Sequence, residues 1–383
     1  MKVLKLLLFL LILIFPLGQL TKIPLGIAEV NLYLQDLIIF PLVIFWLVWH
    51  LKRKKAFIRP PLFWPIIAFS LCAWLSLLVN LPRLNSWEAV VSFLYLLRWV
   101  FYAGVYFVVY EIADRRFFGF LYLAGLITAI LGFLQYFLYP NLRNLSYLGW
   151  DPHYYRLFGS FFDPGFVGVI LVLTLILLTC QPQKGRVFWW GLTYLALALT
   201  YARSAYLAFM GGMALLAYFK KSLKLLVAVS FLVLVTIFLI PRFPSEGTNL
   251  GRQKSVEARF LNWQQSLAIF RDSPIFGVGF NAYRYAQRDK GFIDREKWQE
   301  THAGAGGDSS LLFVLATTGI LGFLTYLWLL GEILKYHLRN PLIVASLGAV
   351  LIHSFFNNSL FYPWVMLWLW ILLGVSTKLR AYK

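Results

Sequence analysis

The sequence predicts an all-α, polytopic membrane helical bundle of about 12 transmembrane helices with one large, mostly helical outer loop. Three observations carry this prediction. The 383 residues are 60% hydrophobic, only 13% are charged against about 25% in a soluble domain, and the apolar residues form long unbroken runs. Spanning segments must satisfy their own backbone groups, so they are helices or closed barrels. The runs lack the alternation of barrel strands and therefore favour helices.

Apolar runs long enough to cross a bilayer, about 17–25 residues, occur along most of the chain. We expect spans near residues 3–20, 32–50, 62–80, 89–112, 117–138, 162–180, 187–202, 204–219, 222–241, 309–331, 341–357 and 361–377. The first run is flanked by lysines like a signal peptide, but it reaches Gly18 without a small-x-small cleavage site, which predicts an uncleaved helix. The predicted organisation is a membrane bundle at 1–241 (spans 1–9), a large extracytoplasmic loop at 242–308, and spans 10–12 with a cytoplasmic tail at 309–383.

The basic residues of the short loops predict the orientation, because Lys and Arg are retained on the cytoplasmic side during insertion. With the N-terminus inside, 19 basic residues fall on the cytoplasmic face and only 4 in the short outer loops. We therefore expect a multi-pass protein of the cytoplasmic (inner) membrane with both termini cytoplasmic. The same clusters account for most of the net charge of +19 and would attract anionic membrane lipid. They give no reason to expect a nucleic-acid partner.

The outer loop has the charge pattern of an ordinary protein surface, with 10 basic and 8 acidic residues. Within it, residues 255–271 predict a helix that rests an apolar stripe on the bundle. The residues of this stripe are Phe260, Trp263, Leu267 and Phe270. Pro274 and the glycines 277 and 279 predict that a turn ends this helix.

Arginines within or beside the spans are candidate functional residues, because a charge in the hydrocarbon is costly. Arg98 lies inside the fourth span, Arg203 lies at the outer junction of two spans, and Arg156 precedes the Asp163-Pro164 pair. A guanidinium binds phosphate oxygens bidentately and stays charged, which suits a pyrophosphate-linked lipid at the outer face. The alternative is a snorkelling arginine or one that is paired with an acid such as Asp163.

The histidines and cysteines predict neither a metal site nor a cofactor. His50, His337 and His353 border or lie in spans and are expected to be structural. His153 and His302 lie in outer loops, where each is either a general base or a surface residue. No ligand spacing typical of a metal site occurs, and the two cysteines lie in separate apolar runs.

Several short motifs follow one another in an order that resembles a known family. They are Leu131-Gly-Phe-Leu-Gln-Tyr136, Asp163-Pro164, Thr200 to Arg203, Arg259-Phe-Leu-Asn-Trp263, Pro274-Ile-Phe-Gly-Val-Gly-Phe280 and Leu312 to Gly322. In this order they resemble the O-antigen ligase and polymerase family over most of the chain. The resemblance implies a metal-independent membrane glycosyltransferase. It would transfer a glycan from undecaprenyl pyrophosphate to a lipid core, a growing glycan or a protein hydroxyl at the outer face.

The resemblance also implies roles for particular residues. Arg203 and Arg259 would bind the pyrophosphate and stabilise the charge that develops as the sugar–phosphate bond breaks. The family has a histidine near the end of the outer loop that is proposed to take the acceptor's proton. Here that position holds Asp308, and His302 lies six residues earlier, so either is a candidate base. Partial burial would raise the pKa of Asp308, but Asp308 is equally suited to cap the next helix.

Two other classes of function remain open at this point. A transporter or flippase for a polar lipid would also need intramembrane arginines, but it predicts inverted repeats and paired broken helices, and neither is evident in the sequence. A non-catalytic envelope scaffold predicts that the charged residues tolerate substitution.

Overall fold

The computed structural model describes residues 2–23, 29–52, 59–181, 185–241, 243–294 and 307–381. These residues are mostly helical, with one short antiparallel pairing of Lys22–Ile23 (β1) with Leu32–Tyr33 (β2), which confirms the all-α fold class. The helices are α1 (Lys2–Ile14), α2 (Leu34–Lys52), α3 (Phe63–Asn80), α4 (Ser86–Ile112), α5 (Arg116–Leu138), α6 (Pro164–Cys180), α7 (Arg186–Leu199), α8 (Arg203–Phe219), α9 (Leu223–Leu239), α10 (Lys254–Asp272), α11 (Tyr283–Asp289), α12 (Ser310–His337), α13 (Pro341–Ser354) and α14 (Pro363–Ala381).

Seven helical segments of the described residues are long and apolar enough to cross a membrane. They are Val3–Thr21, which joins α1 to the 3-10 turn after it, Phe63–Arg83, which extends α3, and α2, α4, α5, α12 and α14. Four further apolar helices, α6, α7, α9 and α13, have 14 to 17 residues. A 17-residue helix is about 25 Å long, slightly less than the hydrocarbon core of about 30 Å. A membrane protein is confirmed, whereas the count of about twelve spans stays a prediction.

α6 begins at the sequence signal expected for a helix N-terminus. The Asp163 carboxylate accepts the backbone N–H groups of Gly165 at 2.6 Å and Phe166 at 3.0 Å, and Pro164 occupies the first helical position. Behind this cap, α6 is buried among α5, α7, α8 and α13. Asp163 is thereby held at the beginning of a largely buried helix, and it is a cap instead of an ion-pair partner for Arg203.

α10 confirms the helix predicted over residues 255–271, but only half of the expected apolar stripe packs inward. Trp263 and Phe270 are half-buried, and the Trp263 ring lies 6.2 Å from the Phe356 ring. Phe260 and Leu267 are 59% and 40% exposed. The buried residues of α10 are Asn262, Ser266 and Ile269. Asn262 and Ser266 take the inner face together with Ile269, because their polar groups have hydrogen-bond partners there.

The partners of this inner face lie in α11 and in the segment before α12. The Ser266 hydroxyl lies 2.7 Å from the Tyr283 hydroxyl. The Asn262 side-chain oxygen accepts the Asp308 backbone N–H at 2.8 Å. α10 is therefore held by specific hydrogen bonds, and one of them fixes the backbone at Asp308.

The predicted turn after α10 is confirmed, and it docks against a break in α12. Gly319 interrupts α12 with φ +64°, and a Cβ atom there would lie 2.2 Å from the Ile275 carbonyl oxygen. The Ile320 N–H donates to the Pro274 carbonyl at 2.8 Å. Two of the motifs named above thus pack on each other, which fixes the end of α10 against the middle of α12.

Candidate functional site

An open cavity of about 460 Å³ lies where the beginnings of α6, α8 and α10 meet the segments before α12 and after α13. Its charged lining residues are Arg156, Arg203, Arg252, Arg259, Asp151, Asp163 and Asp308. His153, Ser204, Ser255, Phe356 and Asn357 are among its other lining residues. The structure therefore brings together three of the four predicted arginines and one of the two predicted bases from separate parts of the chain.

Arg203 is the first residue of α8 and holds the loop that leads to α10. Its Nη1 donates to the carbonyls of Leu250 at 3.2 Å and Arg252 at 2.9 Å, and its Nη2 donates to the Ser255 hydroxyl at 3.0 Å. A guanidinium has five N–H donors, so about two remain for a ligand. Within the described residues Arg203 has no carboxylate partner.

Arg259 lies one helical turn after Ser255 on α10 and faces the same cavity. Its Nη1 donates to the Ser255 hydroxyl at 3.1 Å, and its Nε donates to the Phe356 carbonyl at 3.1 Å. Ser255 therefore links the guanidinium groups of Arg203 and Arg259. The two positively charged groups repel each other because both contact the same hydroxyl. A polyanion bound between them would reduce that repulsion.

Arg156 and Arg252 add two further positive charges to the cavity wall. Arg156 is 7% exposed, and its Nε donates to the Thr200 carbonyl at 2.9 Å. Arg252 donates from Nη1 to the Gly247 carbonyl at 2.8 Å. Burial, and the charge of Arg252 next to it, lower the pKa of Arg156 to about 9, so this guanidinium still carries its charge at neutral pH. Arg252 was not predicted from the sequence, because a single loop arginine has no distinguishing pattern.

Asp308 lies half-buried at the cavity, directly before α12. The N-cap of α12 is Ser309, and within the described residues the Asp308 carboxylate accepts no hydrogen bond, so the capping interpretation is wrong. Burial raises the pKa of Asp308 to about 6, and the two other aspartates of the cavity act in the same direction, while Arg259 opposes them. A carboxylate with this pKa is ionised at neutral pH and is a stronger base than an ordinary aspartate.

The structure describes one of the two candidate loop histidines, His153, but not the other. His302 lies outside the described residues. His153 lines the cavity, with Nδ1 3.5 Å from the Arg156 guanidinium. Burial, together with Arg156 and Arg252, lowers the pKa of His153 well below its usual value, so its imidazole is neutral. This neutral side chain adds no charge to the site.

His353 is buried in α13, as expected for a structural residue, and it orients Asn357 at the cavity. Its Nδ1 lies 2.5 Å from the Ser359 hydroxyl, and its Nε2 lies 3.3 Å from the Asn357 side-chain nitrogen. Asn357 in turn donates to the Ser204 hydroxyl at 3.0 Å. This chain of contacts ties the end of α13 to the beginning of α8, next to Arg203.

Arg98, the remaining candidate, does not line the cavity, and we correct its assignment. Its Nη2 lies 2.8 Å from a carboxylate oxygen of Asp36, whose other oxygen accepts the Tyr102 hydroxyl at 2.9 Å. A buried cation that has a buried carboxylate partner is already compensated. Arg98 therefore joins α4 to α2 and belongs to the fold.

A smaller cavity of about 160 Å³ adjoins the first and shares Asp151, Asp163 and Phe166 with it. Its remaining lining residues are Gln19, Trp150, Phe161, Phe162 and Tyr362. The rings of Phe166 and Tyr362 stack with their centroids 3.7 Å apart. Flat apolar surfaces beside a few polar groups are typical of a small-molecule site. Among the described residues, including those of both cavities, no three side chains of the kinds that ligate metals come together.

The fold and the cavity together define a polytopic membrane protein with a cationic pocket at one end of its helical bundle. Residues 187–327 match the family model described as O-antigen ligase, and this match supports the assignment of the chain to the O-antigen ligase family. The matched residues include Arg203, Arg259 and Asp308 and confirm the family resemblance, while the motifs at residues 131–136 and 163–164 lie outside the matched range. The family implies a glycosyltransferase-like enzyme that acts on lipid-linked glycans and acceptors in the membrane. A search of curated proteins found no match.

Proposed function

We propose that this protein transfers a glycan from an undecaprenyl-pyrophosphate donor to an acceptor hydroxyl at the extracytoplasmic face of the cytoplasmic membrane, without a metal ion. One observation carries the proposal: Arg156, Arg203, Arg259 and Asp308 line the same cavity although they are far apart in the chain. A membrane enzyme of this family needs a site for a diphosphate beside a base, and this cavity offers both chemical functions.

The arginines are suited to bind the diphosphate. Arg203 and Arg259 retain free N–H donors, and neither has a carboxylate partner among the described residues. A diphosphate leaving group gains negative charge as its bond to the sugar breaks, so donors fixed in advance stabilise the transition state more than the ground state. Arg156 and Arg252 also line the cavity and increase its positive potential.

Asp308 is the proposed base. The oxygen of the acceptor hydroxyl attacks the anomeric carbon, the bond from that carbon to the diphosphate oxygen breaks, and its electron pair leaves with the diphosphate. The hydroxyl proton passes to the Asp308 carboxylate. Attack from the side opposite the leaving group inverts the anomeric configuration, as the family implies. The aromatic cavity beside Asp151 and Asp163 is the proposed place for the donor sugar.

The test is glycan transfer by purified protein from a defined lipid-diphosphate donor. We expect Arg203→Ala, Arg259→Ala and Asp308→Ala each to lower kcat/KM by about 100-fold or more, as is typical when one charge-stabilising donor or one general base is lost. Arg271→Ala is the matched control, because Arg271 is an exposed arginine of the same helix as Arg259. It should leave transfer unchanged.

The acceptor class is tested in the same assay, with a lipid core, a second lipid-linked glycan or a serine-containing protein offered in turn. Full activity in all three alanine variants would refute the proposed site, whereas a wild-type protein that transfers no glycan to any of the acceptors would favour a scaffold role. An active Asp308→Ala variant together with an inactive His302→Ala variant would move the base to His302 and leave the arginines in place.

A further inference from the structure

A second basic cavity, of about 740 Å³, lies at the opposite end of the helical bundle. It is bounded by the beginnings of α5 and α13 and by the ends of α6, α12 and α14. α12 begins at the first cavity and ends at this one, and its 28 residues correspond to about 40 Å. The two cavities are therefore separate sites.

Three arginines line this second cavity: Arg115, Arg339 and Arg380. All three are exposed, and none forms an ion pair within the part of the chain that the structure describes. Nearby acids are already engaged, since Asp114 pairs with Arg116 at 2.7 Å and Glu332 pairs with Lys335 at 3.3 Å. The cavity thus has a local excess of positive charge that an anionic ligand would neutralise.

Two helices, α5 and α13, begin at this cavity. The Asp114 carboxylate already accepts the Arg116 N–H at the start of α5 at 3.0 Å, and the Asn340 side chain accepts the Leu342 N–H of α13 at 3.2 Å, so these helices add only their dipoles to the positive potential. Helix N-termini carry a partial positive charge and favour phosphate groups. Part of the remaining wall is apolar, formed by Phe118, Pro341, Leu342 and Leu379, and the rest is polar, formed by Gln181, His337, Asn340 and Ser376.

A phosphate group with attached hydrocarbon matches this combination better than a free ion does. We propose that the cavity binds the phosphodiester head group of an anionic phospholipid, with its acyl chains beside the apolar wall. Orientation by basic loops predicts that this end faces the cytoplasm, and the cytoplasmic leaflet carries anionic lipid. The inference does not rest on glycan transfer, because it uses none of the residues of the first cavity.

The experiment uses the purified full-length chain in detergent and measures bound lipid by native mass spectrometry. Phosphatidylglycerol is the probe and phosphatidylcholine the neutral comparison. The variant is Arg115→Gln/Arg339→Gln/Arg380→Gln. Each basic residue beside an anionic lipid contributes about 1 kcal/mol, which is about fivefold in affinity, so the triple variant should bind phosphatidylglycerol about 100-fold more weakly. Wild type should bind one phosphatidylglycerol molecule in preference to phosphatidylcholine.

The matched control is Arg186→Gln/Lys220→Gln/Lys224→Gln, which removes the same charge from exposed positions outside the cavity at the same end. It should bind phosphatidylglycerol like wild type. Equal loss in both triple variants would mean general surface attraction and would overturn the site. Binding of inorganic phosphate as tight as that of phosphatidylglycerol would show a free-anion site and would overturn the lipid assignment.

Arg380 lies 4.4 Å from the ring centroid of Tyr336, so its replacement could disturb folding. The double variant Arg115→Gln/Arg339→Gln avoids that contact. It should weaken phosphatidylglycerol binding by about 25-fold at an unchanged melting temperature. Unchanged lipid binding by this folded variant would refute the proposal.

Discussion

At the scale of single residues, the surroundings of Asp308 make its carboxylate a stronger base than an exposed aspartate. By resemblance, the family has a histidine where this chain has Asp308. Burial in the cavity raises the pKa of Asp308 to about 6, close to the usual pKa of a histidine. The nearby Arg259 still favours the ionised form, so the carboxylate is available as a proton acceptor at neutral pH.

This shift predicts the pH dependence of transfer. The base acts when it is deprotonated, so kcat/KM should be level above about pH 7 and should fall about tenfold per pH unit well below pH 6. Asp308→Asn should lower kcat/KM at least 100-fold and should remove this acid limb. Asp308→His should recover part of the activity, because imidazole is a base of similar pKa.

The control for this prediction is Glu257→Gln, which neutralises an exposed carboxylate on α10 and should leave the profile unchanged. Asp308→Asn should melt no lower than wild type, because an amide removes the cost of a half-buried charge. An Asp308→Asn variant that keeps the acid limb would exclude Asp308 as the titrating base.

At the scale of elements, Gly319 allows the turn after α10 to pack against α12. Gly319 interrupts α12, and the Ile275 carbonyl lies so close to it that a Cβ atom on residue 319 would clash. The turn at residues 274–279 then pairs with the α12 backbone on both sides of the break. α10, with Arg259, is attached to this turn, so the docking sets where Arg259 lies relative to Asp308.

Gly319→Ala should therefore destabilise the protein by about 1–3 kcal/mol, the usual cost of a residue forced into strained backbone geometry. Thermal unfolding in detergent measures this effect. Gly331→Ala is the matched control in the same helix, because a Cβ atom there meets nothing within 4 Å. Equal melting temperatures for the two variants would contradict the docking account.

At the scale of the whole molecule, the two ends of the bundle differ in chemistry. One end has the cavity with Arg203 and Asp308, and the other has the cavity with Arg339. A membrane enzyme that uses a lipid-linked donor must present its site on one face only, so orientation decides which donors reach it. The distribution of basic residues predicts that the first cavity is extracytoplasmic.

Cysteine labelling tests this orientation. In a background with Cys72 and Cys180 replaced by serine, Glu257→Cys on α10 should react with an impermeant maleimide in intact cells. Lys224→Cys, exposed at the other end, should react only after the membrane is opened. The reverse pattern would invert the predicted topology, and labelling of both positions in intact cells would reveal leakage of the reagent.

The sequence by itself determined the class of protein and most of its helices. Lipid offers no hydrogen-bond partners, so long apolar runs have to be helical, and each expected span corresponds to a helix. The helix α10 followed from local spacing, and the turn after it from Pro274 and its glycines. Arg203, Arg259 and Asp308 were predicted as site residues from the order of the motifs. A family resemblance indicates such positions, whereas hydropathy alone does not.

Only the tertiary structure decided which charges work together. Arg98 and Asp36 are 62 positions apart, and no local pattern distinguishes a paired arginine from a free one. Arg252 and Asn357 lie in irregular segments, where sequence has no periodicity to interpret. Hydrogen bonds to Tyr283 and to the backbone of Asp308 determine which face of α10 is buried, and these bonds form only when the chain is packed. Charge compensation and hydrogen bonding depend on distances of a few ångströms, and packing sets those distances.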